Sequence, residues 1–233
     1  MKSKLVIFDF ADTIASLRPS KEEVLQNFIL KEIDVLVPIQ RIHEVYHYAT
    51  NLIFYSSVDI KDFKRKEEFY SEFNNNILSL LGLLHQVDSS KLYKYFTEHG
   101  QHWALKNEVK ELLLELKSKD CFISLVSNFD TRLYDFLDKM EITSCFDSIL
   151  VSQEVGLEKP NIKFLELPLR KHNIKSEDAF YIGDSYHLDY IPGIKLNINT
   201  YLLDEKGFYP TLHRRVSSLE EFKKIIIKEI ENV

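Results

Sequence analysis

The sequence predicts an α/β protein with a doubly wound parallel sheet and an inserted all-helical segment. Three observations favour this fold class. Short apolar runs that end in polar residues recur along the chain, helical patterns lie between them, and one long stretch near the amino terminus has helical character alone. A chain of 233 residues is long enough to bury a sizeable core and carry such an insertion.

The strands are predicted from apolar runs of the length that is typical of buried strands. Parallel strands have nearly continuous apolar sequences because helices cover both faces of their sheet. The predicted strands are Leu5–Phe8, Phe122–Val126, Ser148–Val151, Ala179–Ile182 and Thr200–Leu203.

Helices are predicted where apolar residues return every three or four positions. Pro168 lies inside one such segment and is expected to kink or shorten it, because proline has no backbone N–H to donate. Alternating strands and helices predict a Rossmann-like parallel sheet with helices on both faces. The predicted helices are Glu108–Lys117, Thr131–Met140, Asn161–Lys171 and Leu219–Ile230.

Residues 19–100 interrupt this alternation and are predicted to form a helical cap domain. Residues 1–18 and 101–233 are then the α/β core domain, whose first strand precedes the insertion. Ser20 and Glu23 have the spacing of a capping box and predict the start of the first inserted helix. The many phenylalanine and tyrosine residues of the insertion are interpreted as its own apolar core.

Composition and charge exclude several classes of partner. The formal net charge is −6, whereas a protein that binds nucleic acid needs a basic face. Two cysteines without metal-ligand spacing, and an amino terminus unlike a signal peptide, favour a reduced cytoplasmic protein. Apolar stretches fall short of transmembrane length, so we expect no membrane association.

Polar residues follow the predicted strands at the point where each strand ends. In an open parallel sheet, ligands bind at the carboxyl ends of the strands, so we expect these residues to share one edge. Asp189 also belongs to this set, because it lies five residues after Asp184 in the sequence. The polar groups are Asp9, the pair Ser127 and Asn128, the segment Glu158 to Pro160 with Lys159 at its centre, and the pair Gly183 and Asp184.

These residue types suit chemistry on a phosphoryl group. The Asp9 carboxylate can attack phosphorus and form an acyl phosphate. Asp9 and Asp184 can hold Mg²⁺, a hard cation that takes oxygen ligands, while Asp189 orients the waters of the metal from further out. Ser127 is expected to hydrogen-bond a phosphoryl oxygen, and Lys159 to neutralise the developing charge.

The same residues, in order, resemble the four motifs of the haloacid dehalogenase-like hydrolase superfamily. The first motif covers residues 9–13, the second residues 126–128, the third Lys159 with Pro160, and the fourth residues 183–189. The spacing resembles the subclass with a helical cap between the first two motifs. Residues 13–19 and 127–130 further resemble the subgroup of haloacid dehalogenase-like domain-containing protein three.

The resemblance implies a phosphatase-type hydrolase that uses Mg²⁺ and a small phosphorylated substrate. It implies that Thr13 and Asn128 join Ser127 and Lys159 in binding the substrate. It also implies that the backbone carbonyl of Ala11 is a metal ligand.

Ala11 departs from the family pattern. Phosphatases of the superfamily usually have an aspartate at this position, two residues after the nucleophile, which protonates the leaving group and then activates water. Asp12 is one residue further on, and successive side chains of an extended segment point to opposite sides. The missing acid–base group is typically worth ~10²–10⁴-fold in rate.

Two other functions remain open on the sequence. Phosphonoacetaldehyde hydrolases of the superfamily also have alanine at this position and use a cap lysine, for which Lys61, Lys64 and Lys66 are candidates. A catalytically weak relative that binds a phosphorylated ligand or a protein partner would also tolerate the loss of the acid. Separately, His43 and His47 match a helical zinc pattern, which we interpret as an ordinary polar helix face.

Overall fold

The computed structural model describes residues 3–55, 66–99 and 102–231. The chain divides into two compact units. One comprises Met1–Ser16 with Trp103–Val233, and the other comprises Leu17–His102. The assignment of residues 1–18 and 101–233 to a core domain and of residues 19–100 to a helical cap domain stays a prediction.

The first unit is built on a six-stranded parallel sheet. Its strands are β1 (Leu5–Phe8), β4 (Phe122–Ser127), β5 (Ser148–Val151), β6 (Ala179–Gly183), β7 (Asn199–Leu203) and β8 (Arg215–Val216). The strand order is β5-β4-β1-β6-β7-β8. All five predicted strands occur in this sheet, which confirms the predicted fold class.

Alternate side chains of β1 enter separate apolar clusters, because successive residues of a strand point to opposite faces. Val6 and Phe8 belong to the larger cluster, which also holds Phe222. Leu5 and Ile7 belong to the smaller cluster on the other face. Since both faces of the sheet are covered, the strand is apolar throughout.

The helices of this unit follow the predicted order. Pro168 was expected to kink or shorten its helix, but the helix continues past it to His172, so the shortening was wrong and the kink stays a prediction. The proline is buried, and its apolar contacts act against the cost of the missing backbone hydrogen bond. The helices are α5 (Val109–Ser118), α6 (Arg132–Lys139), α7 (Ser152–Val155), α8 (Ile162–His172), α9 (Ile191–Lys195) and α10 (Leu219–Glu231).

The second unit contains α1 (Lys21–Ile33), α2 (Ile39–Tyr55), α3 (Lys66–Leu80) and α4 (Ser90–Glu98). Its helices pack around an apolar cluster of their own. The predicted capping box is confirmed: the Ser20 hydroxyl accepts a hydrogen bond from the backbone N–H of Glu23, whose carboxylate accepts one from the N–H of Ser20.

Two short strands were not predicted. β2 (Ala15–Arg18) and β3 (His102–Leu105) form a two-stranded sheet at the two points where the chain passes between the units. Both strands are only partly buried, so their sequences lack the apolar run from which the other strands were predicted. Among the described residues, the structure contains no helix that is long and apolar enough to span a membrane.

Candidate active site

Asp9 lies at the carboxyl edge of the sheet because it directly follows β1, the central strand. Its backbone N–H donates to the carbonyl of Ile182 at 3.0 Å, which extends the pairing of β1 with β6 by one step. The side chain is buried, although it is a carboxylate. A buried carboxylate needs partners that stabilise its charge.

The main partner of Asp9 is Lys159. Its ammonium donates to Oδ1 of Asp9 at 2.5 Å and to Oδ1 of Asp189 at 2.6 Å. The lysine side chain is only 3% exposed, so the ion pairs are shielded from water. The structure thus brings together three of the residues that the sequence placed in the site.

Burial and neighbouring charges shift the pKa values of Asp9 and Lys159 in opposite directions. Burial raises the pKa of Asp9 to about 6, and the neighbouring Lys159 ammonium opposes that shift. For Lys159, burial disfavours the charged form, but the carboxylates of Asp189 and Asp9 outweigh it and the pKa is raised. The lysine therefore stays protonated at neutral pH and supplies a fixed positive charge beside Asp9.

Asn128 and Thr13 support this pair. The Asn128 side chain accepts from the backbone N–H of Lys159 at 2.7 Å and donates to its carbonyl at 2.9 Å. The Thr13 hydroxyl donates to Oδ2 of Asp9 at 3.1 Å. Asn128 and Thr13 thus orient the lysine and the aspartate. Their predicted contacts with a substrate, and that of the buried Ser127, stay predictions.

Asp189 accepts three hydrogen bonds from the protein. Besides Lys159, the Tyr181 hydroxyl donates to Oδ1 at 2.5 Å, and the backbone N–H of Ser185 donates to Oδ2 at 3.0 Å. Sequence reasoning missed Tyr181. Its position in an otherwise apolar strand could have indicated the contact. A tyrosine in such a strand has a buried hydroxyl, and buried tyrosine hydroxyls usually hydrogen-bond to a polar partner.

Gly183 makes room for Asp189. A Cβ atom built on Gly183 would lie 2.3 Å from Cγ of Asp189, far inside van der Waals contact. The carboxylate therefore reaches its partners only because position 183 lacks a side chain.

We expect Gly183→Ala to lower the free energy of unfolding by about 1–3 kcal/mol, because the methyl group overpacks the site and displaces a buried, paired carboxylate. Urea unfolding measures this change. A variant as stable as the wild type to within about 0.5 kcal/mol would show that Asp189 does not occupy this position.

Three carboxylates could hold a cation. Ligand oxygens of Asp9, Asp184 and Asp189 lie within 4.8 Å of one another, and Asp184 is the exposed member of the group. An all-oxygen donor set fits Mg²⁺. Because Asp189 already accepts three protein hydrogen bonds, it suits an indirect role better than direct ligation.

The loop after Asp9 offers no carboxylate at position 11. Ala11 is half-buried and packs against the larger apolar cluster. Asp12 has a left-handed backbone with φ of 54°, and its carbonyl accepts from the Lys106 ammonium at 2.6 Å. The Lys106 side chain thus holds the backbone of this loop in place.

The histidines of the helical zinc pattern lie apart from these residues in sequence, on α2. Nε2 of His47 is 3.1 Å from the side-chain nitrogen of Asn51. Within the part of the chain that the structure describes, neither His43 nor His47 belongs to the acidic group that could hold a metal. Lys61 and Lys64 lie outside the described residues.

Comparison with known proteins identifies the family. A sequence model of haloacid dehalogenase-like hydrolases matches residues 6–203, and the chain belongs to this family. This confirms the resemblance that the four motifs indicated. Among solved structures, the HAD-hydrolase YfnB from Bacillus subtilis, bound to magnesium, superposes with a TM-score of 0.66 at 16% identity. The alignment covers 97% of this chain and 99% of that one.

Curated relatives match over part of their length. The human haloacid dehalogenase-like hydrolase domain-containing protein 3 is 27% identical over 115 residues, which are 49% of this chain and 45% of that protein. A glyceraldehyde 3-phosphate phosphatase from Methanothermobacter thermautotrophicus is 30% identical over 95 residues, 40% of this chain and 42% of that one. The chain thus spans less than half the length of these relatives.

Proposed function

We propose that the protein is a magnesium-dependent hydrolase of small phosphorylated molecules in which Asp9 is the nucleophile. The observation that carries this proposal is the buried Asp9 carboxylate, paired with Lys159 at the carboxyl edge of the sheet, beside Asp184. The phosphatase named among its relatives supports the same substrate class.

The residues of the site have complementary roles. A carboxylate oxygen of Asp9 attacks phosphorus, the bond to the leaving oxygen breaks, and an aspartyl phosphate forms. Lys159 and the Ser127 hydroxyl stabilise the negative charge on the phosphoryl oxygens. Water then attacks the phosphorus, which releases phosphate and regenerates the Asp9 carboxylate.

Asp9, Asp184 and the backbone carbonyl of Ala11 would hold the metal ion, with Asp189 in indirect support. When bound, Mg²⁺ supplies positive charge that offsets the repulsion between the carboxylate and a phosphoryl anion. The single positive charge of Lys159 is already shared between the carboxylates of Asp9 and Asp189. A phosphoryl anion therefore needs further positive charge before the Asp9 carboxylate can approach it.

We expect hydrolysis of phosphomonoesters to vanish with excess chelator and to return when Mg²⁺ is added. A screen of phosphomonoesters, phosphonates and acyl phosphates, run with chelator and with Mg²⁺, measures this. Asp184→Asn serves as the matched variant, and it should need a higher Mg²⁺ concentration for half-maximal rate. Full phosphatase activity in excess chelator would contradict the proposal.

Phosphonate hydrolysis is the second candidate, and Ala11 is the observation that favours it. That reaction needs a lysine that forms a Schiff base with the carbonyl group of the substrate. Borohydride reduction in the presence of phosphonoacetaldehyde would attach the substrate covalently to such a lysine. Attachment, together with phosphonate turnover, would replace phosphomonoester hydrolysis as the assigned reaction.

A further inference from the structure

Tyr181 places a hydroxyl group at the centre of the ion-pair group. The residue is fully buried in β6, and its ring belongs to the smaller apolar cluster together with Ile7 and Phe164. Only the hydroxyl reaches the carboxyl edge, where it donates to Oδ1 of Asp189 at 2.5 Å. Phenylalanine would fill the same place in the apolar cluster equally well. The hydroxyl of Tyr181 must therefore have a role other than packing.

The Tyr181 hydroxyl also contacts Lys159. The lysine ammonium lies 3.4 Å from the tyrosine oxygen and donates towards it. An ammonium group has three N–H donors, and here they face three acceptors: Asp9, Asp189 and Tyr181. With its donors directed in this way, the ammonium has a defined orientation although it ends a flexible four-carbon chain.

The direction of the bond to Asp189 is fixed by charge. An ionised carboxylate can only accept hydrogen bonds, whereas a phenol has an O–H to donate. The Tyr181 hydroxyl is therefore the donor and Oδ1 of Asp189 the acceptor. The bond from Tyr181 supplies the Asp189 carboxylate with one of its hydrogen-bond donors. The Lys159 ammonium can therefore divide its own bonds between Asp189 and Asp9.

We propose that Tyr181 is a positioning residue, which holds the Lys159 ammonium against Asp9 by bonding to both Asp189 and Lys159. This inference rests on the proposed function, because it assigns to Tyr181 the geometry that the nucleophile and the phosphoryl group require. Tyr181 does not touch the reacting atoms itself. Its effect is transmitted through Lys159 and Asp189.

The test compares Tyr181→Phe with a matched control, Tyr201→Phe. Tyr201 lies on the neighbouring strand, paired with Ile182, and belongs to the apolar cluster on the opposite face of the sheet. Both changes remove one hydroxyl from a largely buried tyrosine. Calorimetry would measure the binding of beryllofluoride with Mg²⁺, a mimic of a phosphoryl group on Asp9, and kinetics would use an aryl phosphate.

We expect Tyr181→Phe to weaken beryllofluoride binding by about tenfold or more, the usual effect of losing a hydrogen bond to a charged group. The kcat of the aryl phosphate should fall by a larger factor than its KM rises, since Lys159 acts mainly on the negative charge that develops in the transition state. Tyr201→Phe should leave all three quantities unchanged. Equal binding and equal kcat in Tyr181→Phe and the wild type would overturn the inference.

A second readout separates this inference from the proposed function. Nitrogen NMR of the metal-free protein can follow the Lys159 ammonium, assigned by its loss in Lys159→Met. Tyr181→Phe should shift this signal and speed its hydrogen exchange, whereas Tyr201→Phe should not. If the wild type neither binds beryllofluoride nor hydrolyses esters, the proposed function fails. The Lys159 signal then decides the inference, and an unchanged signal in Tyr181→Phe would overturn it.

Discussion

Asp9→Asn is expected to reduce turnover of every phosphorylated substrate to about a few per cent of the wild-type rate or less. The amide is a poor nucleophile and a weaker ligand for Mg²⁺, while its size matches that of the carboxylate. The fold should persist, because the Lys159 ammonium keeps its ion pair with Asp189. Steady-state kinetics and thermal unfolding of the purified variant measure the two effects.

The matched control is Asp135→Asn, an aspartate in the first turn of α6 that is exposed to solvent. It makes the same chemical change away from the site and should retain the wild-type rate. An Asp9→Asn protein that is folded and keeps more than about a few per cent of the wild-type turnover would exclude Asp9 as the nucleophile.

Ala11→Asp is expected to raise the turnover of alkyl phosphates by up to ~10²–10⁴-fold. The leaving alkoxide of an alkyl ester is a strong base and needs a proton as the P–O bond breaks. Ala11 supplies none, whereas a carboxyl group at this position can protonate the alkoxide and then activate water. Aryl and acyl phosphates have better leaving groups, so their first step should gain less.

Ala11→Asn is the matched control, because it adds a side chain of the same size without a group that exchanges a proton at neutral pH. It should leave the rate on alkyl phosphates low. A similar gain in Ala11→Asn would assign the effect to packing. No gain in Ala11→Asp, combined with phosphonate turnover by the wild type, would indicate that alanine is an adaptation to that other reaction.

Much of the fold was predictable because the buried strands carry a strong local signal. β1 is apolar throughout and β6 is apolar except for the Tyr181 hydroxyl, since helices cover both faces of the sheet. The polar residues that follow these strands mark the carboxyl edge. The strands β2 and β3 lack this signal because they are only partly buried. Their pairing joins segments far apart in sequence, which local patterns do not reveal.

The sequence predicted that Asp9, Lys159, Asp184 and Asp189 lie together at one edge of the sheet, but it did not predict their individual contacts. The positions of Asp9 and Lys159 followed from strand ends and motif order. The bonds of Asn128 to the Lys159 backbone, and of Tyr181 to Asp189, depend on how loops and strands meet in space. Tyr181 in particular has the appearance of one more apolar strand residue, because its ring is apolar and only its hydroxyl reaches the site.

The central claim is that Asp9 carries the phosphoryl group, and trapping that group tests it most directly. The protein would be mixed with an acyl phosphate and Mg²⁺, quenched in acid and reduced with borohydride, which converts an aspartyl phosphate to homoserine. Mass spectrometry should find homoserine at position 9 in the wild type, less of it in Ala11→Asp, and none in Asp9→Asn or without Mg²⁺. Hydrolysis with an unmodified position 9, or with the label on another residue, would contradict the claim.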